Sequence, residues 1–256
     1  MRNILKLALS VLAVVLSGWL LVGVETEHGI SYDAVATMSP ALDAIVRSDQ
    51  TDAALDDSAI TQEMMASFAD QVAVNGDTVG WLLIPNVCYY PVMYSPVYDY
   101  YLLHDRYRTP SAQGSIFINY QCEPNFDGML TLIHGHNMKN ATMFGQLEAY
   151  LGVDFFRKND PIMIFDGKTI RKYKPFTAVI LAENNDIIDA QTLSDADRAS
   201  YIQSMYDRSL CKMADGEQPD LTKPIIFLST CDYSFNEARF LVGAYLTEAK
   251  EVGNEG

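Results

Sequence analysis

Charged and apolar positions divide the chain into three unequal parts. From Leu7 to Val24, 18 consecutive positions carry no charge. As a helix this run spans about 27 Å at ~1.5 Å per residue, against a hydrocarbon core of ~30 Å. Between Glu25 and Asp77 the chain is acidic. Apolar residues recur at three- and four-residue spacing over Tyr32–Arg47 and Ser58–Val74, which predicts helices joined by the connector Ser48-Asp49-Gln50-Thr51-Asp52. Pro40 falls inside the first of these, so that helix is expected to start there with Ser39 as its N-cap. From Val79 the period changes. Apolar runs at residues 80–85, 89–93, 115–119, 129–134, 161–165, 170–173, 176–181, 225–228 and 240–246 are broken by turn residues. Many short strands with turn signals between them predict a mainly β barrel or sandwich. Asp166-Gly167-Lys168 reads as a tight hairpin turn. Two helical stretches interrupt the strands, Thr142–Tyr150 and Ser194–Arg208, the second opening on the acidic start Ser194-Asp195-Ala196-Asp197.

The charges flanking the first run give it a direction. Arg2 and Lys6 precede it and Glu25 and Glu27 follow it, so the positive-inside bias puts the N-terminus in the cytoplasm and the rest of the chain outside the cell. A cleaved signal peptide is the competing reading, but its apolar core is usually ~7–15 residues and ends at a small-x-small site. This run is longer and ends in Leu20-Leu21-Val22-Gly23-Val24, which favours an uncleaved single-pass anchor in the cell membrane. The expected organisation is an anchor over 1–24, an acidic helical stalk over 25–78 and a barrel over 79–250. The acidic residues of the stalk read as a solvated face, and their sign repels anionic lipid headgroups. With 18 basic and 33 acidic residues the formal net charge is −15, which argues against nucleic acid as a partner. An apolar content of 49% excludes wholesale disorder.

Four cysteines stand at 88, 122, 211 and 231. None forms a CxxC pair, and four are too sparse to be a disulfide framework for so long a chain. The last is placed differently from the others. The apolar run Ile225–Leu228 leads through Ser229-Thr230 into Cys231, and a seven-residue loop later Arg239 opens the next apolar run. Two antiparallel strands joined in this way bring Cys231 beside Arg239. A nearby guanidinium favours the thiolate and can hold a developing oxyanion. A buried cysteine with a surface arginine is the plainer alternative. The second signal is Ile133-His134-Gly135-His136-Asn137, where an apolar run meets a glycine and then a histidine. His136 lies 95 residues before Cys231, and a Cys–His pair distant in sequence and adjacent in space is the usual arrangement for thiol catalysis. His134 and His136 could also be two metal ligands, but no Glu or Asp cluster flanks them to complete a set. His28 and His104 read as incidental.

Together these motifs resemble the sortases, membrane-anchored cysteine transpeptidases of Gram-positive surfaces. Gly135-His136-Asn137, Ser229-Thr230-Cys231 and Arg239 carry the resemblance. The class B members are the more specific match. It rests on His136-Asn137-Met138-Lys139 with Met143-Phe144 and Leu147, on Leu228-Ser229-Thr230-Cys231-Asp232-Tyr233, and on Ala238-Arg239-Phe240. Val79-Gly80-Trp81, Ile84-Pro85, Tyr90-Pro91-Val92, Tyr100-Tyr101-Leu102, His104-Asp105 and Gly114-Ser115-Ile116-Phe117 extend it over roughly Val79 to Leu246. The resemblance implies an eight-stranded sortase-type barrel with N-terminal helices and a helix in the loop before the Cys231 strand. It implies that Cys231 attacks the Thr carbonyl of a C-terminal sorting signal, that His136 handles the protons and that Arg239 stabilises the oxyanion. It further implies that an amine of a peptidoglycan precursor or a pilin resolves the thioester, with no cofactor and no metal. Ser229, Thr230 and Tyr98 are the candidate substrate contacts. Val97-Tyr98 departs from the Asp-Asn often found there in class B members. Two other functions fit the same residues: a thiol peptidase that releases its product to water, and a tethered binding module whose Cys231 is structural.

Overall fold

The computed structural model describes residues 57–181, 194–214, 216–231 and 238–253, with Cys231 described by its backbone. The span predicted over 7–24 and the helix over 32–47 lie outside these residues. Among the described residues no helix is long and apolar enough to cross a membrane. Helix α1 (Asp57–Val74) leads into β1 (Thr78–Ile84) and β2 (Cys88–Met93). After β3 (Ile116–Ile118) and β4 (Leu130–His134) comes the short α2 (Val153–Lys158), then β5 (Ile162–Phe165) and β6 (Thr169–Leu181). Helix α3 (Asp195–Asp207) stands between β6 and β7 (Ile225–Cys231), and β8 (Arg239–Glu251) follows. The eight strands close into a barrel in the order β1-β2-β3-β4-β7-β8-β6-β5. The β2–β3 and β4–β7 pairs are parallel and the other six are antiparallel.

The apolar runs read as continuous rather than alternating because several strands are buried on both faces. In β1, Leu82 and Ile84 join the barrel core, while Trp81 and Leu83 join a second cluster with Ile60 and Met64 of α1. β5 divides the same way, with Ile162 and Ile164 inside and Met163 and Phe165 under the helix. Phe68 of α1 packs edge-on against Phe165 at 5.5 Å between ring centroids. The helix therefore covers a face of the barrel. Polar ties add to the packing: Ser67 Oγ lies 3.0 Å from the Tyr89 hydroxyl, and Lys172 pairs with Asp57.

Two predicted elements come out differently. The runs 170–173 and 176–181 are one strand, β6, of 13 residues. Pro175, between those runs, falls where the register to β8 shifts between Pro175 and Thr177, so its missing N–H is tolerated. The helix expected over Thr142–Tyr150 is absent. Ala141 and Met143 have positive φ (64° and 53°), Asn137 and Met143 form an antiparallel bridge, and a 3-10 turn over Leu147–Leu151 follows. The apolar spacing there anchors a loop: Met143, Phe144, Leu147 and Tyr150 are all buried in the barrel core cluster. Other signals act as read. Asp166 Oδ1 accepts from the Lys168 and Thr169 amides across the β5–β6 turn, with Gly167 at φ +93°. Ser194 caps α3 by accepting from the Asp197 amide.

If α1 belongs to the barrel's packing, Met64→Ala is expected to lower the unfolding free energy by about 2–5 kcal/mol in urea titrations. Val72→Ala, at an exposed position on the same helix, should change it by less than about 0.5 kcal/mol.

Candidate active site

The parallel pairing of β4 with β7 decides where the chemistry-bearing residues meet. Parallel neighbours leave the sheet at the same end, and here His134 is in register with Ser229. The ladder runs one bond further, the Gly135 amide donating to Ser229 O at 3.1 Å. His136 and Cys231 each lie two residues beyond that register pair. β8 then returns antiparallel to β7, with Cys231 and Arg239 as register partners. Tyr98, Asp99, Leu102, Phe117, Asn119, His134, Gly135, His136, Ser229, Thr230 and Arg239 line one cleft of about 90 Å³. Five of the six predicted site residues are in that lining, and the backbone of the sixth, Cys231, is paired with it.

His136 is held from two sides. Its carbonyl accepts from the Phe144 amide at 3.0 Å, and its Nε2 lies 2.8 Å from Leu102 O. A carbonyl oxygen only accepts, so Nε2 carries a proton and Nδ1 is the nitrogen left to exchange one. Gly135 makes the approach possible: a Cβ there would fall 2.4 Å from Ile116 Cδ1 and 2.7 Å from Phe144 Cδ2. Next to it, Asn137 Nδ2 donates to Glu148 at 2.7 Å.

The carbonyl that meets His136 is itself anchored. Leu102 ends a 3-10 turn, Tyr100–Leu102, whose buried Tyr101 donates its hydroxyl to Asp77 Oδ2 at 2.6 Å. Asn75 Nδ2 donates to the same hydroxyl at 2.9 Å, and Arg108 makes a two-pronged contact with Asp77 at 3.0 and 2.7 Å. The Arg108 hydrogen bonds hold the Asp77 carboxyl below the usual carboxylate range. This network links the α1–β1 junction to the wall of the cleft.

The remaining lining residues differ in access. Tyr98 is 62% exposed and meets Tyr120 edge-on, whereas Ser229 and Thr230 are each 2% exposed. Thr230 Oγ1 is buried without a hydrogen-bond partner among the described residues. Arg239 is partly buried, with Nη1 3.4 Å from Ala238 O. His134, Asn119, Phe117 and Leu102 are lining residues that the sequence motifs do not single out for peptide chemistry. Only the His-x-His spacing marked His134, and it suggested a metal. Burial, and secondarily the charge of Arg239, push the His134 imidazole down to about 4. Cys88, Cys122 and Cys211 are buried. Burial pushes the Cys88 thiol well above its ordinary range, and it also raises Cys211, where nearby Arg157 partly offsets it.

Residues 92–247 match the Sortase domain family, and the chain belongs to it: it is a cysteine transpeptidase of the sortase kind. It is 30% identical to Sortase B of Listeria monocytogenes over 174 residues, covering 68% of this chain and 70% of that one. Its fold is similar to sortase B of Clostridium perfringens, with a TM-score of 0.64, 27% identity and coverage of 70% of this chain and 99% of that one. The structure of a Staphylococcus aureus sortase B–substrate complex has the same fold, with a TM-score of 0.64 at 23% identity over 81% of this chain and 94% of that one. Within the family, these matches make the chain a class B sortase.

The state of His134 has a measurable consequence for stability. Its folded value of about 4 lies below an unfolded value of 6.5, so as pH falls the unfolded chain takes up this proton first. Stability is unaffected above about 6.5 and falls progressively toward 4. Between pH 7 and pH 5 the loss in unfolding free energy is expected to be smaller in His134→Phe than in the unmodified protein, by up to about 2 kcal/mol in urea titrations.

Proposed function

We propose that this class B sortase cleaves a C-terminal sorting signal after a Thr and transfers the released surface protein to an amine of a cell-wall precursor or a pilin. The observation that carries the reading is the convergence of His136, Ser229, Arg239 and Tyr98 on one cleft beside the Cys231 backbone. Cys231 is the nucleophile. Its thiolate adds to the Thr carbonyl, and the negative charge that develops on the oxygen is stabilised by Arg239. The C–N bond breaks as His136 Nδ1 protonates the leaving amine, which leaves a thioester. The incoming amine then attacks that thioester, gives its proton back to His136 and releases the thiolate. Tyr98 stands at the exposed rim as a peptide contact, and Ser229 and Thr230 line the floor. A Staphylococcus aureus sortase B of the same fold is known in complex with its substrate, which supports a substrate-binding cleft here.

The same reading places the enzyme on the outer side of the cell membrane, tethered by the uncharged run 7–24 with its N-terminus in the cytoplasm. The expected result is that the full-length protein stays in the membrane fraction after carbonate extraction. External protease should remove the catalytic domain from cells stripped of wall. Release of a soluble, shortened chain would favour a cleaved signal peptide.

The chemistry is tested by incubating the full-length protein with a peptide library, with and without candidate amines, and reading products by mass spectrometry. Cleavage after Thr with transfer to an amine is expected. Hydrolysis alone for every amine tried would favour the thiol peptidase alternative. Cys231→Ala should abolish turnover with the fold intact. Arg239→Lys should lower kcat/KM by about 10²-fold, because a point charge does not replace the planar fork at an oxyanion. Near-normal turnover in Cys231→Ala would overturn the reading.

A further inference from the structure

Two histidines line the cleft, and the chemistry above uses one. The other, His134, has its Nε2 3.2 Å from Asn119 Nδ2. The orientation of the Asn119 amide is set independently of the ring: its Oδ1 accepts from the Gln121 amide at 3.0 Å, so the group turned toward His134 is the NH2. An NH2 only donates, which makes Nε2 the acceptor and leaves the ring proton on Nδ1. An imidazolium in this position would set N–H against N–H. Asn119 is only 3% exposed, so it has little freedom to turn away. The ring is also packed on Phe117, 5.2 Å between centroids. Its Nδ1–H has no hydrogen-bond partner among the described residues, and the side chain lines the same cleft as His136, Asp99 and Arg239.

We propose that His134 is a substrate-positioning residue, held by Asn119 as the neutral Nδ1–H form so that this N–H donates to a carbonyl oxygen of the bound peptide. The proposal rests on the cleft being the peptide site. Neutrality serves that site because Arg239 lines it too. A charged ring would add a second fixed cation, repelling the guanidinium and competing with it for the thiolate and the oxyanion. Burial and the Arg239 charge both oppose that protonation. Asn119 and Gln121 act one step further out, by fixing which nitrogen carries the proton.

The chain has four histidines, so histidine-selective nitrogen-15 labelling of the full-length protein gives an assignable spectrum. The expected spectrum shows His134 neutral with its proton on Nδ1 at pH 7, and unchanged at pH 5. Asn119→Asp replaces the donor with a carboxylate and should convert the ring to an Nε2–H or cationic form. With the best peptide from the library, His134→Phe is expected to raise KM about five- to tenfold while kcat changes less than about threefold. His134→Gln, which keeps an N–H donor, should recover most of that loss. An Nε2–H or cationic His134 in the unmodified protein overturns the proposal. So does an unchanged KM in His134→Phe, or a loss confined to kcat in both His134 variants. Should Asn119→Asp fail to fold, the unmodified spectrum and the kinetic pair still decide. Unmodified enzyme that cleaves no peptide counts against the transpeptidase reading, whereas the spectrum tests the His134 form on its own.

Discussion

The parallel pairing of β4 with β7 is the constraint on which the site depends. Antiparallel neighbours would send His136 and Cys231 to opposite ends of the barrel. Parallel ones send both to the same end, and the His134–Ser229 register sets them at the same level. The chain needs a long excursion through β5, β6 and α3 to make that connection, because parallel strands cannot be joined by a tight turn. Barrel closure through β1 and β5 then leaves β4, β7 and β8 with neighbours on both sides, so the strand ends that carry Cys231 and Arg239 belong to a fully paired sheet. A catalytic geometry built on paired strand ends is held more firmly than one built on free loops.

The wall of the cleft is fixed by polar contacts as well as by the packing of Tyr101 on Met93 and Phe117. Asp77 gathers Tyr101 and Arg108 at the α1–β1 junction, Tyr101 fixes the 3-10 turn, and the turn presents Leu102 O to His136. Tyr101 is buried, so its turn is held in place, and the carbonyl that the turn presents sets which nitrogen of His136 is free. The same logic sets the form of His134 through Gln121 and Asn119. α1 matters to this arrangement because it covers β1 and β5 and ends immediately before Asn75 and Asp77.

Much of the barrel was legible because a strand buried on both faces must be apolar throughout, and turn residues must separate such strands. Misreadings came where one local signal has two structural uses. Pro175 breaks a ladder unless it falls at a register shift, and only the pairing with β8 reveals that shift. The apolar spacing over 142–150 is compatible with a helix, but the residues it marks anchor a loop whose backbone enters the left-handed region at Ala141 and Met143. The helix over Ser58–Val74 was visible as a helix, whereas its acidic surroundings concealed that Ile60 and Met64 are fully buried against the barrel.

The sequence by itself determined the family and the residues that carry its motifs, because His136, Cys231 and Arg239 sit in short contiguous contexts that need no partner to be recognised. It also determined the strands, through runs whose hydrophobicity demands burial. Only the tertiary structure decided what surrounds those residues. Leu102 O, Asn119, Phe117 and the proton position on His134 depend on groups 15 to 34 residues away along the chain, brought together by barrel closure. A hydrogen bond's direction is a property of two oriented groups, and no local pattern of residue types encodes the orientation of both.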